Sequence, residues 1–157
     1  MKLTKTEKRA SERTREAERK TGAYHEAGHA ALMLHFGWRL EVATASETRC
    51  TCYKNEQGHN LYHSLEQVYQ QIIILHAGYV AVKLSNKSLS YGAASLLTGS
   101  EDLRRVCELL KRFQIPRSVD RQLETDTQTL VKQVWPKVRE IAQSILERGS
   151  FYPSMAR

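Results

Sequence analysis

From Ala23 to Phe36 apolar side chains recur at helical intervals (Ala27, Ala30, Ala31, Leu34). The spacing predicts a helix from Thr21 or Gly22 to Phe36, closing near Gly37, with Ala27 and Gly28 small enough for close packing. A second stripe runs through Leu65, Val68, Ile72, Leu75, Tyr79 and Val82 to about Leu84; Ser64 reads as its N-cap and Gln67 completes a capping box. A third, through Leu103, Val106, Cys107, Leu110 and Phe113, opens at Ser100 and ends at Pro116. The last, from Val119 to Arg148, carries Leu123, Leu130, Val134, Val138, Ile141, Ile145 and Leu146, and Pro136 must kink or split it. Between the first two helices, Leu40 to Tyr53 alternates loosely through Val42, Thr44, Thr48 and Thr51, and Asn55 to Gly58 carries a turn signal. Residues 85–100 are rich in Ser, Asn and Gly and read as a long loop of the kind that carries function. The fold class is therefore mainly α, a single helical domain with a small β element.

Composition adds boundaries to this picture. The 157 residues, 41% hydrophobic and 26% charged, suit one globular domain. Residues 1–20 form a polar, basic arm, read as a frayed helical lead-in, and 21–157 form the domain proper. The run Ile72 to Ala77 is far too short to cross a bilayer. A charged N-terminus with no apolar stretch argues against a secretory signal. Three cysteines, Cys50, Cys52 and Cys107, do not pair off evenly, which fits a reducing, cytoplasmic setting.

The net charge is +7, and residues 2–20 supply eight Lys or Arg against four Glu. Lys8 with Glu12, and Glu16 with Lys20, are opposite charges four apart, as on a solvated helix. The arm has no aromatic residue and no base-reading motif, so a solvated or docking helix is favoured over nucleic-acid binding.

The chemistry lies in His25-Glu26-Ala27-Gly28-His29, an H-E-x-x-H sequence within the first core helix. Side chains four apart share a helical face about 5–6 Å between Cβ atoms, so two imidazoles converge on one zinc ion. The intervening Glu26 is then placed as the general base for a water at the metal. A catalytic zinc site needs a third protein ligand and an open position. His35 has the offset of a third histidine in metzincins, but Leu32 stands where those proteins need a helix-breaking glycine. On a continuing helix His35 turns away, so it is set aside. Asp102, at the start of a helix after a loop, is the strongest third ligand; Glu101 and His76 are its rivals. His59 and His63 have ligand spacing, but Cys50-x-Cys52 is tighter than structural zinc sites use, so a second zinc is not favoured.

The stretch Ala23-Tyr24-His25-Glu26-Ala27-Gly28-His29-Ala30 resembles the active-site helix of the FtsH-type zinc metallopeptidases. Ala77-Gly78-Tyr79-Val80-Ala81 is similar to that family's glycine-containing helix, and Thr98, Gly99, Asp102 and Leu103 to the segment that supplies its aspartate ligand. The resemblance covers about residues 21–148. It implies a metallopeptidase-like domain with His25, His29 and Asp102 as zinc ligands and Glu26 as general base. Tyr79 and Val82 depart from the Arg and Glu usual in the second motif, and the loop before Asp102 is one residue shorter. The chain also has no P-loop and no transmembrane segment, so ATP-driven unfolding and membrane attachment are not carried over.

The expected function is a zinc-dependent endopeptidase acting on peptides or unfolded segments, with a separate ATPase or other protein as partner and an oligomer as a further implication of the resemblance. Two rivals stand beside it. One is a degenerate zinc-binding interaction module, the other a small cytosolic protease that cuts a regulatory protein.

Overall fold

The computed structural model describes residues 4–52, 54 and 56–153. The first helix, α1 (Lys5–His35), is continuous through the basic arm and the H-E-x-x-H sequence. Its true start is a capping box at Thr4: Thr4 Oγ1 accepts from the Glu7 N–H (3.3 Å) and Glu7 Oε2 from the Thr4 N–H (2.6 Å). A helix opening at Thr21 or Gly22 is therefore not what forms. Nothing between Lys5 and Lys20 interrupts the backbone ladder, and Gly22 serves packing instead, since a Cβ there would lie 2.4 Å from the Ala45 carbonyl oxygen. Exposed up to Lys20, α1 turns buried from Ala23 to Met33. It ends at Gly37, whose φ of +74° is a left-handed conformation that glycine adopts without strain.

β1 (Leu40–Thr44) and β2 (Thr48–Cys50) form an antiparallel hairpin with Ala43 opposite Thr48. Thr44 Oγ1 accepts from the N–H groups of Ser46 and Glu47 and reverses the chain there. A second turn follows over Glu56 and Gln57, within the expected Asn55 to Gly58, with Gly58 at φ +78° and Lys54 and Asn60 bridged antiparallel across it. Tyr53 and Asn55, which the expected strand and turn include, lie outside the described residues.

α2 (Leu65–Ser85) is apolar around most of its circumference and is accordingly the central helix, packed on by all the others except the last. Ser64 caps it as expected (Gln67 N–H to Ser64 Oγ, 3.2 Å), but the Gln67 side chain reaches the N–H of His63, one residue earlier than a capping box would have it. Residues 85–100 are not all loop: α3 (Tyr91–Thr98) forms there on a Ser90 cap. Only Ala94 of α3 is buried, so it has no apolar periodicity to announce it. α4 (Ser100–Arg112) buries Asp102, Val106, Leu109 and Leu110 along one face; its cap is Gly99, with Ser100 as the first helical residue. The last segment divides into α5 (Arg117–Gln133) and α6 (Trp135–Arg148) at Val134, leaving Pro136 in the first turn of α6, where its missing N–H costs nothing. After Gly149 (φ +84°) a two-residue strand, β3 (Ser150–Phe151), pairs with β1, giving sheet order β2-β1-β3 and leaving β2 as an edge.

The architecture among the described residues is thus mainly α with one small sheet. No described helix is long and apolar enough to cross a membrane. A very close join is the α1–α2 crossing, where Gly28 lies against Ala77 and Ala81, and Gly78 against the His25 ring. A Cβ at Gly28 would come within 2.4 Å of the Ala77 carbonyl oxygen and 2.8 Å of the Ala81 Cβ, too close to be absorbed without moving backbone. Overpacking of this kind costs about 1–3 kcal/mol, and each kcal/mol is worth about 2–4 °C in a domain of this size. Gly28→Ala is expected to lower the melting temperature by several degrees in a thermal scan; an unchanged midpoint would mean that the two helices can part freely.

Candidate metal centre and cleft

Three side chains from two elements meet in one spot. His25 and His29 project from adjacent turns of α1, and Asp102 from the first turn of α4. Asp102 Oδ2 lies 2.9 Å from His25 Nε2 and 3.1 Å from His29 Nε2, and the two Nε2 atoms are 3.0 Å apart. All three residues are buried. Among the described residues this is the one group of three or more His, Cys, Asp or Glu close enough to share a metal ion.

The proton inventory fits a cation. His29 Nδ1 lies 2.6 Å from the Ile74 carbonyl oxygen, which can only accept, so Nδ1 carries a proton and Nε2 is the nitrogen that faces Asp102. Such a bond is the usual orienting contact of a metal-ligating histidine. His25 Nδ1 is the sole buried side-chain N or O among the described residues without a hydrogen-bond partner. Burial opposes charge on His29, but the hydrogen bond and charge of Asp102, with the charge of Glu26, outweigh it and raise its pKa. Burial likewise favours a neutral Asp102, yet the hydrogen bonds of His25 and His29 hold its carboxyl far below the usual carboxylate range. Both shifts express the attraction between the carboxylate and the two imidazoles. Two imidazoles and a carboxylate are an ordinary zinc donor set, and these residues fit it.

α2 fixes the pair from behind. Besides the Ile74 carbonyl it offers Gly78, where a Cβ would stand 2.6–2.8 Å from three atoms of the His25 ring. Only glycine lets the ring lie flat against that helix. Glu26, half-buried beside the triad, is held by Thr48 of β2: Thr48 Oγ1 is 2.7 Å from Glu26 Oε2 and 3.0 Å from its backbone carbonyl. One carboxylate oxygen of Glu26 is thereby engaged and the other is left for chemistry. These residues line a cleft of about 420 Å³, walled by β2 on one side and α4 on the other.

The rivals for third ligand are elsewhere. Glu101 is exposed and bonded to Arg104 (Arg104 Nε to Glu101 Oε2, 3.0 Å). His76 is buried on another face of α2, its Nε2 2.9 Å from Asp120 Oδ1 and its Nδ1 3.3 Å from the Tyr79 hydroxyl. Tyr79 therefore belongs to a polar link between α2 and α5, not to the metal centre. His35 is exposed at the end of α1 against Phe36. Cys50, Cys52, His59 and His63 form no shared metal-ion group among the described residues. The roles of Thr48, the Ile74 carbonyl and Gly78 escape the sequence reading. The first two act through contacts between residues 22 and 45 positions apart, and only the Ala77-Gly78-Tyr79 stretch carried any signal.

A scan against protein-family models finds no match for this chain, and a search of curated proteins finds none either.

Cys50 and Cys52 also line the cleft. Partial burial first, and the neighbouring Cys52 second, push the Cys50 thiol up to about 11, whereas Cys107 is exposed on α4. Because the thiolate is the nucleophile, iodoacetamide at about pH 8 is expected to label Cys107 well before Cys50. The Cys50 rate should climb about tenfold per pH unit towards pH 11. Peptide mass spectrometry reads both, and equal rates at pH 8 would contradict the burial of Cys50.

Proposed function

We propose that the protein is a zinc-dependent endopeptidase. The observation that carries this reading is the convergence of His25, His29 and Asp102 with Glu26 held at its side by Thr48. The likeness of residues 23–30 to the FtsH-type active-site helix supports it. His25, His29 and Asp102 would hold a zinc ion, which would supply the Lewis acidity that acidifies a water towards a pKa of about 7 and polarises a scissile carbonyl.

The remaining work belongs to the chain. Glu26 takes the proton of the attacking water on its free oxygen and returns it to the leaving amine. Thr48, by donating to the other oxygen, keeps the carboxylate from rotating away. His29 is kept in the Nδ1–H tautomer by Ile74, so its Nε2 stays available as a ligand. β2 is paired with β1 on one side only, and Thr48, Arg49 and Cys50 line the cleft. An edge so placed offers main-chain donors and acceptors to an extended substrate. The substrates are accordingly peptides, flexible tails or unfolded segments, which can lie extended in an open cleft of this size.

Metal analysis of the purified protein should find about one zinc per chain. Glu26→Gln should keep that zinc and lose casein cleavage by about 10²–10⁴-fold, the usual contribution of a positioned base. His29→Ala should lose both the zinc and several degrees of melting temperature, because a metal bound only by the native state stabilises it. Cleavage by Glu26→Gln at the wild-type rate would refute the assignment of Glu26. Zinc retained with no cleavage by wild type would favour a structural centre in an interaction module.

A further inference from the structure

Next to the metal cleft lies a second cavity of about 470 Å³, and the two share Lys54, Asn60 and Arg105. The second cavity adds Arg112, Tyr62 and Glu108. Its charges are not balanced. Glu108 is taken by Arg104, which lies outside the cavity. On the cleft side Glu47 is paired with Arg49 (3.4 Å), while Glu41, which accepts from Thr51 Oγ1 (2.9 Å), keeps its negative charge. Among the described residues, by contrast, no hydrogen bond or ion pair engages the side chain of Lys54 or of Arg105. Arg112 spends one N–H on the Asn60 carbonyl oxygen (3.4 Å) and stacks over Phe113 and Tyr62, which fixes its guanidinium at the rim. Arg105 stands three residues after Asp102, hence on the neighbouring face of α4, at the junction of the two cavities.

The geometry points to a carboxylate-binding subsite formed by Arg105, Lys54 and Arg112, which selects substrates carrying a negative charge a few residues from the bond cut at the metal cleft. It rests on the endopeptidase reading for the meaning of "substrate", but the binding itself needs no catalysis. A guanidinium presents a planar fork that a carboxylate meets with two parallel hydrogen bonds, and a lysine adds a mobile point charge. The carboxylate has two sources, an internal Asp or Glu side chain or the terminal α-carboxylate of a peptide, and both present the same group.

The test uses the full chain with Glu26→Gln, so that peptides bind without being consumed, and fluorescein-labelled decapeptides read by anisotropy. One set carries Glu, Gln or Lys at successive positions; another compares a free C-terminus with its amide. Glu or the free acid should bind about three- to tenfold tighter than the neutral partner, a ratio that shrinks as salt shortens the reach of exposed charges. Adding Arg105→Gln should collapse that ratio towards one, and Arg105→Lys should restore part of it; matching melting temperatures show that both variants fold. A gain from internal Glu alone assigns the side chain as the source, and a gain from the free terminus alone assigns the α-carboxylate. Equal binding of acidic and neutral peptides, or a preference untouched by Arg105→Gln, overturns the subsite. Wild-type turnover of the same peptides is read in parallel: charge-selective binding without any cleavage refutes the endopeptidase reading and leaves the subsite, whereas cleavage indifferent to charge does the reverse.

Discussion

The close crossing of α1 on α2 is the constraint from which the rest follows. With Gly28 under the Ala77 carbonyl and Gly78 under the His25 ring, the two backbones approach as near as their atoms allow. That approach brings the Ile74 carbonyl within 2.6 Å of His29 Nδ1 and presses the His25 ring into place. A wider crossing would free both imidazoles to rotate. Their convergence is thus a by-product of helix packing, set by residues that have no side chain at all.

Onto this pair the third group arrives from far along the chain, with Asp102 lying 73 residues after His29. Its delivery depends on α4 beginning where it does. Gly99 allows the chain to turn tightly between α3 and α4, because a Cβ there would press on the Ser95 backbone and the Tyr79 ring. The first turn of α4 then carries the carboxylate inward while Glu101, one residue earlier, faces solvent and Arg104. Adjacent acids thus take opposite roles according to the phase of one helix.

Much of this was legible in the sequence, and the remainder has physical reasons for being hidden. The mainly helical class, the existence of the second helix and the pairing of His25 with His29 follow from periodicity, which local sequence expresses directly, whereas the central place of that helix appears only in the packing. Sequence favours Asp102 but leaves Glu101 a rival, since both are ordinary first-turn acids. The continuity of α1 was missed because Gly22 reads as a start signal when its actual job is to admit the Ala45 carbonyl. α3 and β3 were missed because one buries a single alanine and the other is two residues long. Thr48 had no signal of its own: a threonine in a strand is commonplace until a glutamate from another element is found beneath it.

The unbroken course of α1 has a mechanical consequence. At about 1.5 Å per residue its 31 residues span roughly 46 Å. About half of that length overhangs the body of the molecule, anchored at its root where Arg19 grips the Leu146 carbonyl oxygen near the end of α6. The buried half carries His25, Glu26 and His29 together. Both imidazoles and the carboxylate of Glu26 thus share one rigid rod with the protruding turns, while Asp102 is mounted on another helix.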